Sequence, residues 1–168
     1  MTNIFLYGTL CDRELLEVCL GRSLDNVNLV RAELENHSVF WVKNNNFPVI
    51  KFNRGSFAKG LAVLDLKDHD LNRLNFYEGG FNYELRKSSI ILKDIDFYSK
   101  NKIEAYVYFN NNKEIEIGKD WDLGEWQLCY GLISRLVAKE YMPLRRRCGE
   151  IDLLAEYEKI YNRLSKNL

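Results

Sequence analysis

Glu78 stands where a short helical pattern, two glycines and an aromatic-rich segment meet, in Phe76-Tyr77-Glu78-Gly79-Gly80-Phe81 with Tyr83 just beyond. The rings of Phe76, Tyr77, Phe81 and Tyr83 can strip water from the carboxylate, and a desolvated carboxyl titrates closer to neutrality, where it can take and return a proton. The competing reading is a solvated glutamate at a helix end, the ordinary place for this residue type. A second stretch with chemical potential is Phe5-Leu6-Tyr7-Gly8-Thr9-Leu10. A strand that turns through a glycine into a helix gathers several backbone N–H groups in one concavity, suited to an anion such as a carboxylate. An ordinary turn has the same outward pattern.

Other reactive types are arranged less suggestively. Cys11, Cys19, Cys129 and Cys148 contain no Cys-x-x-Cys pair, and His37 and His69 are the two histidines, both in polar contexts read as surface, so no zinc site is expected. There is no Gly-x-Ser-x-Gly elbow and no Cys-His pairing that the sequence supports. Arg145-Arg146-Arg147 could grip a phosphate or RNA, but positive charge beyond the C-terminal end of a helix is also what the helix dipole favours. Lys plus Arg and Asp plus Glu stand at 24 each, leaving no overall field to recruit nucleic acid or an anionic membrane. Met1-Thr2-Asn3 carries neither a basic region nor a long apolar stretch, and no run reaches the ~18 apolar residues of a membrane span. A reducing cytoplasm with free thiols is the expectation.

The elements that must position these residues follow from periodicity. Ile4 to Tyr7 is a short apolar strand; Asp12 is placed to cap a helix over Arg13–Leu20, whose Leu15, Leu16, Cys19 and Leu20 recur at helical spacing before Gly21. Strands are expected at 27–34, 39–42, at 49–52 opened by Pro48, and at 61–64, with turns at 44–46 and 53–56. Asp68 can cap a short helix with Leu71 and Leu74 on one side and Tyr77 or Glu78 one turn on, stopped by Gly79-Gly80. Strands then span 83–92 and, past the polar stretch from Tyr98 to Lys102, 103–109. In the latter Ala105, Val107 and Phe109 face one way and Glu104, Tyr106 and Tyr108 the other. From Asp122 the chain turns helical: Asp122 and Glu125 have capping-box spacing, Trp126, Tyr130, Ile133, Val137 and Tyr141 form a stripe, and Pro143 ends the helix. A last helix runs from about Glu150 to Leu164 with Leu154, Tyr157, Tyr161 and Leu164 on one face. With 168 residues and 46% apolar content the chain can bury a sizeable core. The expectation is a single domain over 1–168: a small mixed β-barrel over 1–120 in an α+β fold, with a helical extension over 121–168 packed on it.

Phe5-Leu6-Tyr7-Gly8-Thr9-Leu10 closely resembles the opening motif of the gamma-glutamylcyclotransferase superfamily, including its AIG2-like members. Phe47-Pro48-Val49-Ile50 resembles that family's aromatic-Pro-aliphatic strand, Lys59-Gly60-Leu61-Ala62-Val63-Leu64 its glycine-containing strand, and Tyr77-Glu78-Gly79 followed by Tyr83 its Glu-Gly segment. Four landmarks in order over roughly residues 1–110 are far more specific than any one. The resemblance implies a small mixed barrel flanked by helices, Glu78 in the catalytic position, and a substrate site using Tyr7, Gly8, Thr9 and Leu10 together with Pro48 and Tyr83. It implies cyclisation of a gamma-glutamyl group to 5-oxoproline with release of an amine or amino acid, without cofactor or metal. Two departures bear on the substrate and its binding. Arg86 lies three residues after Tyr83, where relatives often have Arg two after, so a strand would turn it to the other face. Thr9 stands where glutathione-specific relatives usually have Ser, which disfavours glutathione against a gamma-glutamyl amine or amino acid. Three roles therefore stand side by side: a cyclotransferase acting on a small gamma-glutamyl compound; a small-molecule-binding or regulatory module with little catalysis; and an interaction protein, or a homo-oligomer, working through the helices after Asp122.

Overall fold

The computed structural model describes residues 1–79, 83–93, 101–112, 114–146 and 152–166. Gly80, Phe81, Tyr98, Arg147, Cys148 and Glu150 lie outside the described residues. The chain order is β1 (Thr2–Leu6), α1 (Arg13–Leu20), β2 (Asn28–Val42), β3 (Pro48–Leu66), α2 (Asp68–Gly79), β4 (Tyr83–Leu92), β5 (Lys102–Asn110), β6 (Ile117–Asp120), α3 (Leu123–Trp126), α4 (Leu132–Tyr141) and α5 (Leu153–Ser165). The sheet order β3-β1-β5-β4-β2 closes on itself through a β2–β3 pairing, and β6 adds to the outer stretch of β2. β1 and β5 run parallel and the other pairs antiparallel. The fold is thus the expected α+β arrangement: a closed mixed barrel with flanking helices, one of them C-terminal.

Strand alternation sorts the apolar residues into two cores. Phe5 on β1 and Tyr7 just beyond its end join a cluster drawn from all five barrel strands, including Leu34, Ile50, Ile90 and Val107, which fills the barrel. Ile4 and Leu6, one step out of phase, pack with Leu15, Leu16, Leu74, Trp126, Val137 and Tyr141 between barrel and helices. Ala105 and Val107 fall in the first core and Tyr106 and Tyr108 on the second side, as the alternation of β5 requires. Because Trp126, Val137 and Tyr141 are at most 1% exposed, the helices after Asp122 contribute to the second core.

Several local expectations are corrected. The two expected strands at 27–34 and 39–42 are one strand, β2, and 48–66 is likewise continuous through the turn-like Asn53-Arg54-Gly55-Ser56. A bulge explains both: the register shifts between Glu35 and His37, Asn36 and Gly55 take positive φ of 58° and 81°, and Asn36 Oδ1 accepts from Gly55 N–H at 2.9 Å. Turn-forming residues here bend two long paired strands without ending them. Asp68 lies in the first turn of α2 and not at its cap, since Lys67 C=O accepts from Leu71 N–H. On α5 the packed residues are Leu153, Tyr157, Ile160, Tyr161 and Leu164, whereas Leu154 is 44% exposed. His37 is half-buried, its ring edge-on to Phe52.

Candidate active site

The loop after β1 is shaped by its neighbours on both sides. Gly8 leads into a 3-10 turn, Thr9–Cys11, closed by Cys11 N–H to Gly8 C=O and Asp12 N–H to Thr9 C=O. The N–H groups at the start of such a turn have no acceptor within it. Asp12 then caps α1, accepting from Leu15 N–H at 2.8 Å. Space dictates the glycine: a Cβ at position 8 would stand 2.6 Å from Pro48 Cγ. Pro48 is itself fixed from two directions. Its C=O accepts from the Tyr83 hydroxyl at 2.7 Å, and Trp126 Nε1 donates to the nearby Asn46 C=O at 2.9 Å.

Glu78 enters from the C-terminal end of α2. Leu71, Leu74 and Glu78 lie at i, i+3 and i+7, so the helix that packs its leucines also turns the carboxylate inward, with Tyr77 buried beside it. Glu78 lines the same cavity as the 8–10 loop, Pro48 and Tyr83. Tyr7 and Thr9 border it as well, so every residue that the family resemblance assigned to the site meets there. The cavity holds about 640 Å³ of non-atom space, counted to its open mouth. Burial pushes the Glu78 carboxyl up to about 8. Among the described residues no side chain hydrogen-bonds or ion-pairs with it, and the C-terminal end of a helix gives no help to a negative charge. A carboxyl in this state can act in either protonation form near neutral pH.

The hydroxyls around Glu78 are held rather than ionised. Tyr7 donates to Tyr108 C=O at 2.7 Å, and Tyr108 donates to Asn75 Oδ1 at 2.8 Å. Burial, and secondarily the neighbouring Glu78 charge, raises the Tyr83 and Tyr108 phenols; for Tyr7 burial is followed by Tyr83 and then Glu78. They remain neutral hydroxyls whose oxygens can still accept from a ligand. Burial likewise lifts the Cys11 thiol to about 12 and raises that of Cys19, so neither offers a thiolate.

Sequence reasoning missed one wall. Trp126, Ser134 and Tyr157, all from the C-terminal helices, also line the cavity, as does Tyr108. A π-helical stretch at Gln127–Gly131 between α3 and α4 sets their register. One inserted residue makes a separation of eight act as seven, about 20° short of two full turns. Trp126 and Ser134, eight apart, thereby face the cavity together. The same shift lets Gln127 and Arg135 meet on Asp12: Gln127 Nε2 at 2.7 Å and Arg135 Nε and Nη2 at 2.9 and 2.6 Å. Burial works to raise the Asp12 carboxyl, but the bonds from Arg135, Gln127 and Leu15 N–H outweigh it and hold the group below the usual carboxylate range.

Among the described residues, no group of three or more His, Cys, Asp or Glu is placed to hold a metal, and no helix is long and apolar enough to cross a membrane. AIG2-like protein B of Arabidopsis thaliana is 28% identical over 125 residues, 74% of this chain and 69% of its own. A solution structure from Arabidopsis thaliana superposes with a TM-score of 0.60 at 23% identity, covering 78% of this chain and 75% of that one. A structure described as a gamma-glutamyl cyclotransferase superposes with a TM-score of 0.57 at 15% identity, over 96% of this chain and 98% of that one, which speaks for the fold. Residues 4–128 match the family described as "Gamma-glutamyl cyclotransferase, AIG2-like", and the chain belongs to that family.

Proposed function

We propose that this chain cyclises a γ-glutamyl compound to 5-oxoproline and releases the amine or amino acid joined to the γ-carbonyl. The observation that carries the reading is a desolvated Glu78 carboxyl, without a side-chain partner among the described residues, sharing one cavity with the N–H groups of the Gly8–Leu10 loop. The substrate brings its own nucleophile, so closing a five-membered lactam needs no serine or cysteine from the protein. The loop N–H groups bind the substrate's α-carboxylate, and the oxygens of Tyr7 and Tyr83 accept from its α-ammonium.

Glu78 takes a proton from the α-ammonium, and the freed nitrogen attacks the γ-carbonyl carbon. A C–N bond forms to the α-nitrogen. The tetrahedral intermediate then breaks its bond to the leaving nitrogen, while the protons shed by the α-nitrogen pass through Glu78 to that nitrogen. The ammonium's three hydrogens end as one on the lactam nitrogen and two on the departing amine, so charge and atoms balance. Because the α-carboxylate is charged throughout the reaction, the N–H donors that bind it act on KM and through it on kcat/KM. A reducing compartment such as the cytoplasm suits a chain whose Cys11, Cys19 and Cys129 thiols are free.

The test is mass spectrometry of products from a panel of γ-glutamyl amines and amino acids labelled with nitrogen-15 at the α-position. Labelled 5-oxoproline with an unlabelled amine is the expected outcome. Labelled glutamate in place of 5-oxoproline would mean hydrolysis and overturn the cyclisation, and no product from a folded protein that binds the panel would move the assignment to a small-molecule-binding module.

A further inference from the structure

Three features of the cavity lie outside the proposed proton chemistry, and they coincide on one wall. Ser134 is only 4% exposed, lines the cavity, and among the described residues its hydroxyl has no hydrogen-bond partner. The other polar atoms of that wall are already engaged: Trp126 Nε1 donates to Asn46 C=O, and the Tyr77 hydroxyl bonds that of Tyr157. A hydroxyl without a partner among the described residues, on a lining shared with two aromatic side chains, suits an apolar group carrying a single hydrogen-bonding atom. The third feature is charge. Among the described residues the cavity lining contains no Lys, Arg or His, and its one carboxylate is Glu78.

Resting on the cyclotransferase reading, we propose that Trp126, Ser134 and Tyr157 form the subsite for the leaving group, and that the subsite takes an apolar amine lacking a carboxylate in preference to an amino acid. The α-carboxylate of the γ-glutamyl half uses the loop N–H groups. A second carboxylate on the leaving half would be desolvated against aromatic rings, without a cation and in the same cavity as Glu78, an arrangement that strongly disfavours binding. Ser134 and Tyr157 lie beyond residue 128, where the family match ends, so this specificity is set by the helical extension.

The experiment uses three ligands on the full chain carrying Glu78→Gln, so that binding is read without turnover: γ-glutamyl-phenethylamide, γ-glutamyl-phenylalanine, which adds one carboxylate to it, and γ-glutamyl-methylamide. By isothermal titration the phenethylamide is expected to bind at least ~10-fold more tightly than the phenylalanine compound. Adding Ser134→Val to that protein should weaken the phenethylamide by at least ~10-fold and leave the methylamide within about two-fold, because only the longer substituent reaches the wall. Ser134→Ala, which adds no bulk, controls for folding. Equal affinity for the phenethylamide and phenylalanine compounds, equal loss of both amides in Ser134→Val, or no binding of any ligand by the folded protein would overturn the subsite. If the ligands bind in the expected order and the unsubstituted chain forms no 5-oxoproline from them, the subsite stands and the catalytic reading falls.

Discussion

Gly8 and Pro48 are packed so closely that a methyl group on Gly8 would lie 2.6 Å from the proline Cγ. That contact sets the entrance of the β3 strand against the loop after β1, and it explains why a glycine must stand between Tyr7 and Thr9. Gly8→Ala therefore forces the loop and Pro48 apart. The cost in stability is expected at about 1–3 kcal/mol, the range for overpacking a filled site. The loss of kcat/KM should be larger than stability alone would give, because displaced N–H donors no longer hold the substrate's α-carboxylate. Thermal unfolding and steady-state kinetics on one preparation separate the two.

Glu78 makes stability and activity run in opposite directions with pH. Its carboxyl is raised from 4.5 to about 8 in the folded chain, so between these values the folded state binds more protons than the unfolded one. Its contribution is therefore fully favourable below 4.5 and is lost as pH rises through about 8. Glu78→Gln should match the parent in acid and be more stable at pH 9, by about 5 kcal/mol at most. Denaturant titrations at pH 4 and pH 9 give the comparison. Equal differences at both values would show that the carboxyl is not desolvated.

The same titration shapes the rate. With Glu78 as the first proton acceptor, kcat/KM should climb with pH and level off above about 8 in the free enzyme. A rising limb centred near 4.5 would place the essential carboxylate in water instead. The profile is read from 5-oxoproline formation at low substrate concentration.

Asp12 has the opposite sign. Held below its ordinary 3.8 by Arg135, Gln127 and Leu15 N–H against the cost of burial, it stabilises the fold above that value, and the benefit is lost as pH falls through the depressed one. Arg135→Met leaves a carboxylate that is 1% exposed without its cation. A loss of about 3 kcal/mol is expected at pH 7. The gap from the parent should narrow as pH drops below 3.8, which urea titrations at pH 7 and pH 3 will show.

Much of the site was legible because local chemistry specifies it. Asp12 capping, the helical spacing after it, the inward turn of Glu78 behind Leu71 and Leu74, and the two faces of β5 all follow from periods of 3.6 and 2.0. What escaped depends on partners remote in sequence. Asn36 and Gly55 look like turn residues wherever they occur, and only the opposing strand makes them a bulge. β6, Ile117–Asp120, is short, has only exposed residues and carries no apolar pattern to announce it. The stripe through Trp126 was visible, but the π-helical residue that aligns Trp126 with Ser134 is invisible to a uniform period. A sequence shows that a face is apolar and not what it covers, so the aromatic wall supplied by the last two helices was out of reach.

Those helices offer a test of their own. Removing residues after Asp122 deletes Trp126, Val137, Ala138 and Tyr141 from the core between barrel and helices, each at most 1% exposed. The truncated chain is expected to lose cooperative unfolding altogether. A folded barrel that had lost only partner binding would instead support an interaction role for the extension.

The most direct measurement is the rate of 5-oxoproline formation by the parent chain and by Glu78→Gln at pH 8, on the best substrate of the panel, with circular dichroism showing both folded. The account requires product from the parent and a fall of at least ~10²-fold in the variant. Product from Glu78→Gln at an undiminished rate would contradict it.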